Sequence, residues 1–285
     1  MLRRLRGLRV KIEKWIVAGL AAGLWCAAEA DEDEKWGFSG CLWNVFESGY
    51  LSSSGTLCDT KPVSMQNLDW DFAMGGYGHF WGYGCFLGTL HDEQHELHRA
   101  AFNEFEGGVF YGYDWKLNDE WTFSNSAGGV WNPLFGYRNG NEATLWEYRW
   151  FQSLENPYLT PFWDILGLIS PTPSWARIRL GVRRSFHLTD TLILTPMYET
   201  VWADRDRFRA RYGELPENTF LGGAFPTMTV TLKLEWYFVE NWSVWAIFRE
   251  FVTVDPQARA AVKQKDAYWE VNDLAIFSLG IGYHF

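Results

Sequence analysis

The feature that most constrains this chain is an alternation of apolar and polar side chains with a period of two residues. It is clearest over residues 227–238, where every second side chain is large and apolar. The apolar series is Met228, Val230, Leu232, Leu234, Trp236 and Phe238. Successive side chains of a strand point to opposite sides, so this pattern predicts a β-strand with two different faces. A helix would need apolar residues three and four positions apart, and the segment lacks that pattern.

The alternation recurs along the chain, separated by two kinds of connection. Residues 67–74 and 274–285 repeat it, with Leu68, Trp70 and Phe72 in the first and Phe277 and Leu279 in the second. The segments KLNDEWTF (116–123), HLTDTLIL (187–194) and FVENWSVW (238–245) predict tight hairpin turns. Longer polar stretches with glycine or proline predict loops at 49–66, 91–98, 132–142, 169–174, 204–225 and 255–272.

The aromatic content decides between a soluble and a membrane protein. The chain has 18 Trp, 13 Tyr and 21 Phe, 18% of its residues. An ordinary core would leave many indole and phenol groups without hydrogen-bond partners. A transmembrane β-barrel places such residues in two belts at the membrane interfaces, and its strands alternate lipid-facing apolar with lumen-facing polar residues. The alternative, an edge strand of a soluble β-sandwich, explains one alternating segment but not their recurrence.

We therefore predict an all-β fold, a transmembrane antiparallel up-and-down β-barrel of twelve strands. Ten strands is the alternative count, because the only turn available between the second and third strands is Gly75-Gly76-Tyr77-Gly78. Short turns at one end and long loops at the other are typical of outer-membrane barrels. The predicted strands are 36–48, 67–75, 79–90, 99–114, 121–131, 143–152, 158–168, 175–186, 191–203, 226–238, 242–254 and 273–285.

The N-terminal segment predicts a targeting signal. Basic residues from Arg3 to Lys14 precede an apolar stretch that is too short to span a bilayer, and Ala28-Glu29-Ala30 follows as a cleavage site. Residues 1–30 are thus expected to be a cleaved secretory signal peptide, and residues 31–285 the barrel domain. The formal net charge of −10 for the whole chain includes this basic leader. So acidic a protein is not expected to bind nucleic acid.

The end of the chain, IFSLGIGYHF, resembles the C-terminal signal of Gram-negative outer-membrane β-barrels. The matching positions are Leu279, Ile281, Tyr283 and Phe285. The resemblance extends to the porin-like architecture of the whole barrel domain, without pointing to one family. It implies that the periplasmic barrel-assembly machinery reads this strand. It also implies a place in the outer membrane, after secretion to the periplasm, in contact with membrane lipids and lipopolysaccharide.

Function is expected to lie in the lumen. Charged side chains cost a few kcal/mol each when they face lipid near the midplane, so those on the strands are assigned inward. The acidic ones are Asp69, Asp71, Glu104, Glu106, Glu147, Asp164, Glu199 and Glu235. The basic ones are Arg149, Arg177, Arg179, Arg183, Lys233 and Arg249. Either they line a water-filled passage or they pair across the lumen and close it.

A narrow passive channel for small solutes is the leading functional prediction, with no enzyme activity and no cofactor. Twelve strands fall between small barrels filled by their own side chains and wide porins. The segment WARIRLGVRR (175–184) places Arg177, Arg179 and Arg183 on one face, a ladder that would attract carboxylates or phosphates. Arg149, Glu147, Glu199, Lys233 and Glu235 are predicted to share this lumen. The alternative is that the arginines pair with Glu147, Glu199 or Glu235 on neighbouring strands.

Three weaker alternatives remain open. In the first, the barrel is a closed structural or lipopolysaccharide-binding protein, and Arg205, Arg207, Arg209 and Arg211 face lipopolysaccharide phosphates. In the second, the barrel is a hydrolase that uses Asp69 and Asp71 as an acid/base pair. In the third, the sequence HDEQHELH binds a metal through the imidazoles of His91, His95 and His98.

Cysteine usage adds one expectation. Cys26 belongs to the predicted signal peptide, which leaves Cys41, Cys58 and Cys85 in the barrel domain. In an oxidising compartment a disulfide is permitted, and Cys41–Cys58 is the nearest pair in the sequence.

Overall fold

A computed structural model describes residues 36–51, 57–59, 62–89, 104–132, 145–170, 176–203, 224–256, 258–259 and 273–285. The predicted signal peptide, residues 1–30, lies outside these residues. Among the described residues, no helix is long and apolar enough to cross a membrane.

The described residues form twelve long antiparallel strands. They are β1 (Trp36–Glu47), β2 (Val63–Met74), β3 (His79–Thr89), β4 (Glu104–Lys116), β5 (Thr122–Asn132), β6 (Leu145–Glu155), β7 (Thr160–Ser170), β8 (Ala176–Arg183), β9 (Leu192–Ala203), β10 (Ala224–Val239), β11 (Trp242–Thr253) and β12 (Asp273–His284).

Each strand pairs with the next one along the chain, and β12 pairs back onto β1. At this closing seam Cys41 lies opposite His284 and Glu47 opposite Ser278. The sheet is therefore a closed barrel, and the predicted twelve-strand fold is confirmed over the described residues, whereas the count of ten is wrong. Two short additions are Tyr50–Leu51 paired with Leu57–Asp59, and Phe186–His187 paired with β9.

The turn between β2 and β3 has the backbone that its glycines allow. Gly75 has φ 60° and Gly78 has φ 88°, both in the left-handed region that favours glycine. At the turn between β10 and β11 this role falls to Asn241, with φ 68°, and asparagine is one of the few other residues that tolerates it. Because Gly75 and Gly78 let the chain reverse within a few positions, β2 and β3 are two separate strands.

Other short turns use side-chain oxygens to accept backbone hydrogen bonds. Asn118 Oδ1 accepts from the N–H groups of Glu120 and Trp121 at 2.9 and 3.0 Å. Asn156 Oδ1 does the same for the N–H groups of Tyr158 and Leu159. This local bonding makes asparagine a strong turn former. The predicted turns in KLNDEWTF, HLTDTLIL and FVENWSVW are all present, and they lie at the same rim of the barrel as the start of β1 and the end of β12.

The outer face has the pattern of a membrane-spanning surface. Its middle zone is aliphatic, with the exposed side chains Leu42, Leu68, Val109, Leu180, Val230, Leu232, Leu279 and Ile281. Exposed aromatic rings concentrate at the rim with the short turns: Trp36, Phe38, Tyr77, Phe80, Tyr158, Phe186, Trp236, Phe238, Trp242 and Phe285. A second group lies toward the other rim: Phe46, Phe86, Trp131, Trp146 and Phe277.

The inner face carries most of the polar and charged residues of the strands. On β10 Thr227, Thr229 and Thr231 are buried, whereas the alternating Val230 and Leu232 are exposed outside. One inner patch is apolar: Val45, Val63, Met65, Cys85 and Leu87 on β1–β3 pack together. The barrel interior is thus polar over most of its wall and apolar over one part.

The last residue of the chain is fixed to β1. Gly40 and Phe285 exchange two backbone hydrogen bonds, each of 3.0 Å. A Cβ at Gly40 would lie 2.5 Å from the Phe285 ring, so the ring covers this glycine. Leu279, Ile281, Tyr283 and Phe285 all belong to the outward phase of β12 and its end, with Leu279, Ile281 and Phe285 strongly exposed. Their role as an assembly signal stays a prediction.

Candidate functional site

The strongest polar feature of the lumen is an ion pair between β6 and β7. Arg149 donates through Nε and Nη2 to the carboxylate of Asp164, at 3.0 and 2.7 Å. Asp164 is fully buried and Arg149 nearly so. A two-point contact between guanidinium and carboxylate is among the stronger charged hydrogen bonds, and it fixes the geometry of both groups.

Two further arginines, on β8, extend this pair into a cluster. Arg179 Nη2 lies 3.1 Å from Asp164 Oδ2, and Arg179 Nη1 lies 3.9 Å from Glu199 Oε2 on β9. Arg177 Nη2 lies 3.9 Å from Glu147 Oε1 on β6. We call these six residues, Arg149, Arg177, Arg179, Glu147, Asp164 and Glu199, the arginine cluster. It spans β6–β9 and has three basic and three acidic side chains, so it is neutral as a whole.

The arginine cluster contains three of the acidic and three of the basic residues that were assigned to the lumen. Arg183 is separate from it, because it lies near the rim with the short turns, where it makes a 3.5 Å exposed ion pair with Glu155. Of the partners expected for the arginines, Glu147 and Glu199 are in place. Glu235 is not one of them, because it faces Lys233 on its own strand at 2.8 Å. Asp164 was missed as the central partner, although its inward phase on the strand next to β8 was a usable signal.

The wall formed by β10, β11, β12, β1 and β2 has a different character. Trp43 and Trp245 pack edge to face with 5.8 Å between ring centroids. Lys233 Nζ lies 5.5 Å from the centre of the Trp245 ring, a cation–π contact. Trp43 Nε1 donates to Asp69 Oδ2 at 2.5 Å. This wall therefore presents aromatic rings with both signs of charge beside them.

Asp69 and Asp71 share the inner face of β2, as predicted, but have different partners. Asp69 accepts from the indole of Trp43. Asp71 Oδ2 lies 2.7 Å from His79 Nδ1, across the β2–β3 hairpin. Each carboxylate is thus engaged separately, and no contact joins the two among the described residues.

Another buried carboxylate, outside the arginine cluster, lies at the seam. Glu47 on β1 accepts hydrogen bonds from Arg249 on β11 and from Ser278 on β12, at 2.7 and 2.9 Å. Glu47 is almost fully buried. This ion pair reaches across β12, so it holds the first strand against the last two.

Cys41 and Cys85 face the lumen on β1 and β3. Neither forms a disulfide, so the suggested Cys41–Cys58 bridge is wrong. The histidine sequence, His91, His95 and His98, lies outside the described residues, as do the loop arginines Arg205, Arg207, Arg209 and Arg211 and the side chain of Glu104. In the described part, no group of three or more His, Cys, Asp or Glu residues is placed to hold a metal.

Comparison with known proteins supports the fold and leaves the family open. No family model matches the chain, and no curated protein sequence matches it. Among solved structures, it is similar to the COG4313 outer membrane channel from Pseudomonas putida F1, with 9% identity, TM-score 0.52 and coverage of 90% of this chain and 99% of that chain. It also matches a KdgM porin at 12% identity and TM-score 0.47, over 87% of this chain and 99% of that one. The chain thus has the closed, antiparallel fold of an outer-membrane β-barrel.

Proposed function

We propose that this protein is a narrow passive channel for small solutes in the outer membrane of a Gram-negative bacterium. The observation that carries the proposal is the distribution of charge, with ion pairs on the inner wall and aliphatic and aromatic side chains outside. A barrel that served only as an anchor has no need of so many ionisable groups on its inner wall. The COG4313 channel shares this fold. The protein also contacts membrane lipids and lipopolysaccharide, and the barrel-assembly machinery inserts it.

Conductance in a planar bilayer tests the channel. The purified barrel is expected to give discrete current steps that scale with salt concentration, because a continuous aqueous lumen conducts in proportion to its ions. The steps should be smaller than those of a wide sixteen- to eighteen-stranded porin. A heat-unfolded sample of the same preparation is the control. If correctly folded barrels give no current at any salt concentration, the channel is excluded.

The arginine cluster is the proposed selectivity element, through Arg177 and Arg179. These two side chains supply two of the three positive charges of the arginine cluster, and both come from β8. Changing both to alanine leaves Glu147, Asp164 and Glu199 against Arg149 alone. The local charge then becomes negative, and the reversal potential in a salt gradient should move toward cation preference.

Arg183→Ala combined with Arg184→Ala is the matched control for this charge change. Arg183 pairs with Glu155 at the exposed rim, and Arg184 lies against the exposed ring of Phe186, with its guanidinium 4.6 Å from the ring centre. This double variant takes away the same two positive charges outside the arginine cluster, so the reversal potential should stay close to that of the parent protein. An unchanged reversal potential in the arginine-cluster variant would remove Arg177 and Arg179 from the selectivity proposal. The proposed preference of the channel for anionic solutes depends on the result of this test.

A closed structural or lipopolysaccharide-binding barrel is the second candidate. One observation favours it: the arginine cluster and the apolar patch around Val63 and Leu87 are both deeply buried, which means that side chains fill part of the interior. Absence of current combined with full heat stability would select this candidate. The third candidate, a hydrolase, would use Asp69 and Asp71 as an acid/base pair that acts on one substrate. The two carboxylates bind different partners, Trp43 and His79, and this arrangement does not support a shared catalytic role.

A further inference from the structure

The Trp245 indole lies flat against the inner wall of the barrel. Trp245 belongs to β11, but its ring lies over Gly280 and Gly282 on the inward phase of β12. A Cβ at Gly280 would lie 2.5 Å from Nε1 of the ring, and a Cβ at Gly282 would lie 2.9 Å from Cζ3. These two atoms belong to different rings of the indole, so both of its rings rest on positions without a side chain. The other face of the indole is therefore directed into the lumen.

Trp43 on β1 stands beside this flat ring. The two indoles are 5.8 Å apart between centroids, with an angle of 73° between their planes. The N–H of Trp43 donates to Asp69 on β2 at 2.5 Å, which holds the second ring in this orientation. Trp43, Trp245 and Asp69 are all partly exposed, and because they point inward, their exposed parts face the lumen. A ring-shaped solute can thus contact two aromatic side chains at once.

Charged groups surround the two indoles. Lys233 Nζ lies 2.8 Å from Glu235 Oε2 and 5.5 Å from the centre of the Trp245 ring, near the outer limit of a cation–π contact. Asp69 is within electrostatic range of the same ammonium group. We call Trp43, Trp245, Asp69, Lys233 and Glu235 the indole corner. It has one positive and two negative side chains, so its net charge is negative.

A neutral pyranose sugar fits this combination of groups. The C–H bonds on one face of a sugar ring carry a small positive charge, which the negative face of an indole attracts. The hydroxyl groups at the edge of the sugar both donate and accept hydrogen bonds, so they suit carboxylates as well as an ammonium group. An acidic sugar fits less well, because its carboxylate would meet Asp69 and Glu235 with Lys233 as the one cation of the corner. Few polar groups beside aromatic rings are typical of small-molecule sites.

We propose that the indole corner is a binding site for a neutral pyranose sugar. The sugar's role as a transported solute rests on the proposed channel function, whereas its binding does not. The arginine cluster belongs to β6–β9 and shares no residue with the indole corner. Since the sugar has no charge, its binding is independent of the charge preference proposed for that cluster.

Saturation-transfer NMR of the folded barrel tests binding. The detergent is lauryldimethylamine oxide, because detergents with a sugar headgroup would compete for the site. The probes are D-glucose, D-galactose and D-mannose, with D-glucuronate as the charged comparison. We expect saturation to reach mainly the protons on one face of the sugar, since only that face stacks on Trp245. Glucuronate should bind more weakly than glucose. Absence of transfer to all three neutral sugars, or tighter binding of glucuronate, would overturn the proposal.

Variants of the indole corner locate the bound sugar. Trp245→Ala should abolish the transfer, whereas Trp245→Phe should keep part of it because an aromatic face remains. Asp69→Asn should weaken binding by about tenfold or more, the value of a hydrogen bond to a charged group. Trp236→Ala is the matched control, because that indole is exposed on the outer face of β10. Circular dichroism and gel mobility establish that each variant is folded. Equal transfer in Trp245→Ala and the parent would refute the site, and if Trp245→Ala does not fold, unchanged affinity in Asp69→Asn does so.

Ion current in a planar bilayer separates binding from transport. In a conducting barrel, glucose should reduce the current reversibly, because the bound sugar occupies part of the lumen. Trp245→Ala should lose this effect, and Trp236→Ala should retain it. Binding by NMR with no effect on a measurable current would overturn the sugar as the transported solute. Binding in a barrel that gives no current would overturn the channel and leave the sugar site in place.

Discussion

Replacing Asp164 with alanine is expected to destabilise the barrel by about 3–5 kcal/mol, the cost of breaking a buried ion pair by removal of one partner. Asp164 is fully buried and contacts two guanidinium groups, those of Arg149 and Arg179. Without it, these two positive charges remain inside the wall with little water to solvate them. Urea unfolding in lipid vesicles, followed by circular dichroism and gel mobility, measures the change in the free energy of unfolding.

Glu155→Ala is the matched control for this measurement. Glu155 also pairs with an arginine, Arg183, but this pair is well exposed at the rim. Exposed ion pairs contribute about 0–1 kcal/mol, so the control variant should unfold close to the parent. If Asp164→Ala and Glu155→Ala lose the same small amount of stability, the arginine cluster does not stabilise the barrel.

Replacing Gly280 with valine is expected to narrow the lumen. A Cβ at Gly280 would lie 2.5 Å from Nε1 and 2.6 Å from Cζ2 of Trp245, closer than real side chains approach. Because the wall lies behind the ring, the indole must swing toward the barrel axis, away from its contacts with Trp43 and Lys233. Overpacking of this kind costs about 1–3 kcal/mol. If the barrel conducts, single-channel conductance should fall well below that of the parent.

Two further variants separate ring displacement from a general effect of valine. Gly37→Val adds the same side chain on β1, where nothing lies within 4 Å of the new Cβ, so stability should change little. Gly280→Val combined with Trp245→Ala removes the clash, and conductance should recover to the parent value or above it. A double variant that conducts as poorly as Gly280→Val alone would show that the ring does not set the lumen width.

Much of the wall was predictable from the sequence, because lipid on one side and charge on the other impose alternation. On β10 and β12 the outward and inward phases are as expected from the residues alone. The prediction failed at the start of β2, which begins at Val63 rather than at residue 67. There Val63 and Met65 point inward into the apolar patch. Ser64 and Gln66 alternate with them on the outer face, so the apolar and polar phases are reversed relative to Leu68 and Trp70. This reversal hides the start of the strand when apolar residues are expected only on the outside.

The sequence predicted which charged side chains face the lumen, but not which of them form ion pairs with each other. Inward charge on β6–β9 followed from the cost of exposing charge to lipid. The choice of Asp164 over Glu235 as the centre of the arginine cluster depends on register, because Arg179 lies opposite Asp164 across the β7–β8 pair. Register is set by turns and loops of variable length, which one sequence does not specify. The packing of Trp245 on Gly280 depends on register in the same way.

The seam between β1 and β12 also dictates the order of folding. Cys41 and His284 are 243 positions apart in the sequence, so their strands meet only after every hairpin between them has been organised. High contact order of this kind slows folding. In the interval, both terminal strands display unsatisfied backbone edges that invite intermolecular pairing. The ion pair of Glu47 with Arg249 can form only at that last step, so its appearance would mark the moment at which an aggregation-prone open sheet becomes a closed cylinder.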